Sequence, residues 1–138
     1  MVLDLVREVR APFSPEQVVA DFVRTLKPYR LMQMTGGRFG DEWCRQPFRK
    51  AGLMYQLAPR TRSDLYKELL LLVNRQTAVP LDDPRLLTQL YGLERHTARS
   101  GKDTIDHRPH QHDDVAYAAA GALVLANGSG TGPGIFLL

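Results

Sequence analysis

The chain of 138 residues has one cysteine, Cys44. That excludes an intramolecular disulfide and a cysteine-based zinc site, and it fits a reducing, cytoplasmic setting. Long apolar runs are also missing. The longest, Val115 to Ala126, is well short of the roughly 18 residues a membrane span requires. Asp4, Arg7 and Glu8 stand where a secretory signal would need an apolar core, so neither targeting nor membrane association is expected. Several catalytic signatures are absent too. There is no G-x-x-x-x-G-K-[ST] phosphate loop, no G-x-S-x-G elbow and no H-E-x-x-H helix, and "TGGRFGDEW" lacks the lysine a phosphate loop needs.

What is present is an ordinary globular composition, 43% hydrophobic and 24% charged, long enough for one core. The net charge of +3 would suit a polyanionic partner. The basic residues gather in three groups: Arg45, Arg49 and Lys50; Arg60 and Arg62; and Arg95, Arg99, Lys102 and Arg108.

Periodicity alternates between strand-like and helix-like. "VLDLVREV" reads as a half-buried strand. "PFSPEQVVADFVRTLK" reads as a helix capped by Ser14, with Pro15 first, Gln17 completing a capping box, and Val18, Val19, Phe22, Val23 and Leu26 on one face. "YRLMQM" predicts a strand broken by Gly36 and Gly37, "EWCRQPFRKAG" a short helix closed by Gly52, and "LMYQLA" another strand. "SDLYKELLLLVNR" predicts a helix capped by Ser63 with Leu65, Leu69, Leu72 and Val73 on one side. A short edge-like strand, "TAVPL", precedes a helix "DPRLLTQLYG" between Asp83 and Gly92. "LERHTARSGKDTIDH" predicts a hairpin around Ser100 and Gly101. A last helix is expected from about Asp113 to Ala126, then a flexible tail. The pattern predicts an α/β domain with a mixed sheet and helices on both faces.

The segment "HQHDDVAYAAAGALVLA" sets two imidazoles and two carboxylates at the mouth of an apolar helix. Asp113 and Asp114 can be read as caps that satisfy free N–H groups and complement the helix dipole. They can equally be read as hard oxygen ligands for Mg2+ or Mn2+, placed where a sheet ends and a helix begins, with His112 acting on water or steadying a carboxylate. A third reading takes His107, His110 and His112 with Asp106 and Asp113 as a zinc cluster, although the spacing matches no common motif.

In order along the chain, "APFSPEQVVADF", "TGGRFGDEW", "RSDLYKELL", "RLLTQLYGLERHTARSGKDTIDH" and "HDDVAYAAAGALVLA" resemble the C-terminal nuclease domain of the large subunit of tailed-phage terminases. The resemblance implies a ribonuclease H-like fold, a mixed sheet flanked by helices, over residues 1–126, with 127–138 as a flexible C-terminal tail. It implies endonucleolytic cleavage of duplex DNA during genome packaging. Two divalent cations, Mg2+ or Mn2+, would be held by three acids: one on a first strand, one after a middle strand and one in the His-Asp-Asp stretch. On that reading Asp113, Asp114 and His112 are the catalytic residues and Asp113 and Asp114 the metal ligands, while Arg62, Arg99, Lys102 and Arg108 hold phosphates. The terminase ATPase domain, the small terminase subunit and the portal protein are the implied partners, and the bacterial host cytoplasm the implied location. The chain departs from the family pattern in two places. Gly37 occupies the place of the middle acid, with Asp41 four residues on as its candidate substitute beside Glu42. The strand carrying the first acid is expected to precede "VLDLVREV", so the sheet is expected to be incomplete at its first strand, with Asp4 structural. With two of the three acids not found, the chain alone is expected to bind cations poorly and to be impaired in cleavage; a non-catalytic DNA-binding or packaging-assembly module is the alternative reading.

Overall fold

A computed structural model describes residues 3–9, 13–37, 41–129 and 136–137; for residues 41–44, 129, 136 and 137 it describes the backbone alone. The described residues hold five α-helices, α1 (Pro15–Leu26), α2 (Asp41–Lys50), α3 (Arg62–Asn74), α4 (Pro84–Tyr91) and α5 (Asp114–Ser129), and five strands, β1 (Gln33–Gly36), β2 (Met54–Leu57), β3 (Leu93–Thr97), β4 (Asp103–His107) and β5 (Phe136–Leu137), in the chain order α1-β1-α2-β2-α3-α4-β3-β4-α5-β5. Parallel and antiparallel pairing are both present, but in two separate sheets instead of the single mixed sheet expected. One sheet is parallel, in the order β2-β1-β5, and β3 and β4 form a detached antiparallel hairpin.

The N-terminal half folds around a small apolar cluster of Val19, Met34, Phe48, Leu53 and Tyr55, against which Phe22, Val23 and Leu26 also pack. The face read for α1 is therefore the one it buries. Its start differs from the expected capping box: Ser14 sits at the N-cap and its carbonyl accepts from Val18 N at 3.0 Å, but its side chain makes no capping hydrogen bond. Pro15 makes that start tolerable, because its fixed φ suits the first turn and it has no N–H to leave unsatisfied. β1 begins later than the alternation suggested, since Lys27–Tyr29 form a 3-10 turn and Arg30 takes a left-handed φ of 53°. Gly52, with φ +89°, ends the turn after α2 as glycine commonly does.

The C-terminal half holds the larger cluster, built by Leu65, Tyr66, Leu69 and Leu72 of α3, Leu86 of α4 and the length of α5. Val115, Ala116, Tyr117, Ala119, Ala120, Leu123 and Val124 of α5 are all buried. A helix apolar all round is one that is packed all round, and its alanines let α3 and α4 approach closely. On α3 the buried positions are 65, 66, 69 and 72; Val73, expected on that face, has turned out to solvent. Thr61, not Ser63, caps α3 by accepting from the backbone N–H of Asp64. Ser63 Oγ instead accepts from Ile105 N at 2.9 Å and so ties the hairpin to the helix.

Three further expectations are corrected. Residues 3–9 form no strand: Leu3 N donates to Val79 O at 3.1 Å, and the segment is otherwise fastened by Arg7 to Asp21 and Arg85 to Glu8. "TAVPL" contributes only that single bridge at Val79. Within 127–138, expected to be a tail, α5 continues to Ser129 and Phe136–Leu137 pair parallel with Thr35 and Gly36. Asp4, read as structural, accepts a hydrogen bond from the Tyr29 hydroxyl. Among the described residues no helix is long and apolar enough to cross a membrane.

Candidate metal centre

The hairpin and the two longest helices meet at one place. β4 ends in Asp106 and His107, the chain loops over residues 108–112, and Asp113 stands immediately before α5, its carbonyl accepting from Tyr117 N at 2.8 Å. Facing them is the first turn of α3, with Arg62 at its first position and Tyr66 one turn on.

Asp113 is 3% exposed. A carboxylate that deep must be satisfied by donors, and it is. Tyr66 Oη donates to Asp113 Oδ2 at 2.6 Å, and Arg62 Nη1 lies 3.3 Å from Oδ1. Burial, then the hydrogen bond to Asp113, pushes the Tyr66 hydroxyl well above the ordinary phenol range, so it remains a donor at any pH the folded protein meets. Arg62 also lies 3.9 Å from Asp106 Oδ1, and its guanidinium carbon rests 4.9 Å from the centre of the Tyr117 ring, a cation–π contact. Tyr66 and Tyr117 meet edge to face at 6.4 Å.

His107 is held from behind. Its Nδ1 lies 2.9 Å from the backbone oxygen of Arg108, which only accepts, so Nδ1 carries the proton. That leaves Nε2, 3.7 Å from Asp106 Oδ1, as the free lone pair of the neutral ring. The backbone hydrogen bond, followed by the nearby Asp113 and Asp106, raises the His107 pKa against partial burial. Asp106, His107 and Asp113 thus offer ligand atoms that all lie within 4.8 Å of one another. An imidazole whose other nitrogen is fixed by a carbonyl is the usual arrangement of a metal-binding histidine.

The expected site residues divide as follows. Asp113 is in this group. Asp114, in the first turn of α5, and His112 are exposed and outside it, as is His110, with φ 63°. Of the five residues of the zinc reading, Asp106, His107 and Asp113 come together and the other two histidines do not. Gly37 is buried, and its carbonyl accepts from the Tyr55 hydroxyl at 2.8 Å. The side chains of Asp41 and Glu42 lie outside the described residues. Among the four cations expected on phosphates, Arg99 and Lys102 are exposed at the hairpin tip, while Arg62 and Arg108 are already engaged by carboxylates. Arg108 Nε lies 2.8 Å from Glu94 Oε1, and Glu94 is the cross-strand partner of Asp106.

Tyr66 was not visible as a site residue, because in sequence it reads as one more apolar position of α3. Asp106 and His107 had a usable signal, their position at the end of a strand that leads by a loop into the His-Asp-Asp helix.

No family model and no curated protein matches the sequence. Solved structures do match. The large terminase nuclease from thermophilic phage G20c with bound magnesium superposes with a TM-score of 0.63 at 18% identity, over 79% of this chain and 60% of that one. The same nuclease with bound cobalt gives 0.63 at 19% identity, over 79% and 61%. The large terminase nuclease domain of Thermus phage P74-26 gives 0.59 at 19% identity, over 76% and 56%. The chain therefore spans about three fifths of the length of these neighbours. In fold, this chain is similar to the nuclease domain of phage large terminases.

Proposed function

We propose that the chain is a terminase large-subunit nuclease domain, ribonuclease H-like, which cuts duplex DNA in a reaction that depends on Mg2+ or Mn2+. One observation carries this reading: two carboxylates and an oriented imidazole converge at the mouth of α5, in a fold shared with nucleases solved with magnesium and cobalt bound. The donor set suits a hard divalent cation, since oxygen donors outnumber nitrogen and two carboxylates supply the charge. Asp106, His107 and Asp113 would hold it. Bound there, such a cation supplies an activated water and stabilises the departing oxygen in phosphodiester hydrolysis.

The protein's own residues prepare that chemistry. Tyr66 fixes the orientation of the Asp113 carboxylate, and the Arg108 carbonyl fixes the His107 ring. Asp114 and His112, exposed at the same helix mouth, contribute from the solvent side. Arg99 and Lys102 on the hairpin tip meet the phosphate backbone, giving salt-sensitive attraction without base readout. The ATPase domain, small subunit and portal protein of a packaging motor are the partners this reading implies.

A second reading, a DNA-binding or assembly module without cleavage, is favoured by Gly37 standing where the family's middle acid is expected. Supercoiled plasmid incubated with the chain in Mn2+ separates the two. Nicked or linear product that vanishes on Asp113→Asn supports the nuclease. Salt-sensitive DNA binding with no product supports the module.

A further inference from the structure

Arg62 stands in a place that helix electrostatics disfavour. It is the first residue of α3, where the partial positive charge of the helix N-terminus repels a cation. Its guanidinium lies between two carboxylates, 3.3 Å from Asp113 and 3.9 Å from Asp106, and rests on the Tyr117 ring at 4.9 Å. Without it, Asp113 would be a buried carboxylate facing a second acid, held by the uncharged Tyr66 hydroxyl, which donates a hydrogen bond but carries no compensating charge. Arg62 is thus the positive charge that both carboxylates face. It also approaches two of the three groups that would ligate a cation.

We propose that Arg62 is an exchangeable counter-cation. It holds Asp106 and Asp113 in the metal-free protein, competes with a divalent cation for them, and leaves them when that cation binds. This inference rests on the metal-dependent reading above. The geometry gives Arg62 the freedom to do so. Its side chain is one-third exposed, and its distances to the carboxylates exceed the 2.7 to 2.9 Å typical of a tight charge-assisted hydrogen bond. Tyr66, by contrast, is at 2.6 Å and keeps Asp113 oriented when Arg62 withdraws. Arg62 is therefore a positioning residue whose removal helps the cation bind.

The test is a calorimetric titration of the metal-free chain with Mn2+, for the wild type, Arg62→Met and Arg60→Met. Arg62→Met keeps an unbranched side chain over Tyr117 and removes the charge. It is expected to tighten Mn2+ binding about tenfold or more, the scale expected from losing one competing charge a few ångströms away. Arg60, paired with Glu68 at 3.8 Å, controls for net charge, and its variant is expected to match the wild type. Equal or weaker binding by Arg62→Met overturns the proposal while leaving the metal site standing. So does an equal gain in Arg60→Met. No Mn2+ binding by wild type and variant alike overturns the metal reading together with it. A second measurement needs no variant: the side-chain Nε–H resonance of Arg62 in the wild-type chain is expected to move during a Mg2+ titration. A resonance that stays fixed while Mg2+ binds contradicts the exchange.

Discussion

The hydroxyl of Tyr66 and the carboxylate of Asp113 form the most buried polar contact of the site, at 2.6 Å. Tyr66→Phe removes it without opening a cavity and leaves Asp113 short of a donor. The variant is expected to lose about 2 kcal/mol of unfolding free energy in a urea titration, the range for hydrogen bonds to charged groups. His107 gives a pH signature. Its pKa is raised in the folded chain, so protonation favours the folded state. In the metal-free protein this contribution is full below the unfolded histidine value near 6.5 and is lost as pH rises through the folded value. Thermal midpoints measured from pH 5 to 8 should show that fall, and His107→Gln should remove it. At this scale the sequence was legible where chemistry announces itself, as at Asp113 and His107. It was silent about Tyr66 and read Arg62 as a phosphate-holding cation, because a tyrosine among leucines and an arginine among surface cations meet the Asp113 carboxylate only when α3 is laid against α5.

Helix boundaries set by local rules were the most readable elements. α4 is bracketed as expected by Asp83, which accepts from Leu86 N at 2.8 Å, and by Gly92. Asp83→Ala is expected to cost about 1 kcal/mol, measurable by chemical denaturation. The hairpin also follows its turn chemistry, with Gly101 at φ +82° between β3 and β4. Near its tip, Thr97 and then Arg95 hold the Asp103 carboxyl below its ordinary value, so that local support is present above the unfolded carboxyl value and lost as pH falls through the folded one. The misjudged elements are those whose partners are remote. Alternation in residues 2–9 looks the same whether or not a neighbouring strand exists to pair with. Ser63 fits a cap in sequence, yet Thr61 takes that role and Ser63 serves Ile105. Ser63→Ala is expected to cost about 1 kcal/mol by leaving that N–H unpaired. Because Ile105 directly precedes Asp106, the same variant should weaken Mn2+ binding, whereas loss of the α4 cap should not.

Across the whole molecule, two apolar clusters divide the labour. The smaller one, centred on the fully buried Phe48, anchors the parallel sheet; the larger one clamps α5 between α3 and α4 and so sets the height of Asp113 against the hairpin. An α/β class could be read from the alternation of periods, but the separation into a parallel sheet and a detached hairpin could not, since strand order depends on contacts far apart in sequence. On the proposed reading, Asp106, His107 and Asp113 form the metal centre of a nuclease. Its most direct test is cleavage of supercoiled plasmid in Mn2+ by the wild type, Asp106→Asn, Asp113→Asn and Asp114→Asn, with each variant's fold checked by circular dichroism. Cleavage is expected from the wild type, with its loss in Asp106→Asn and Asp113→Asn and partial retention in Asp114→Asn. Cleavage that survives Asp106→Asn and fails only with Asp114→Asn, or no cleavage by any of the four, would contradict it.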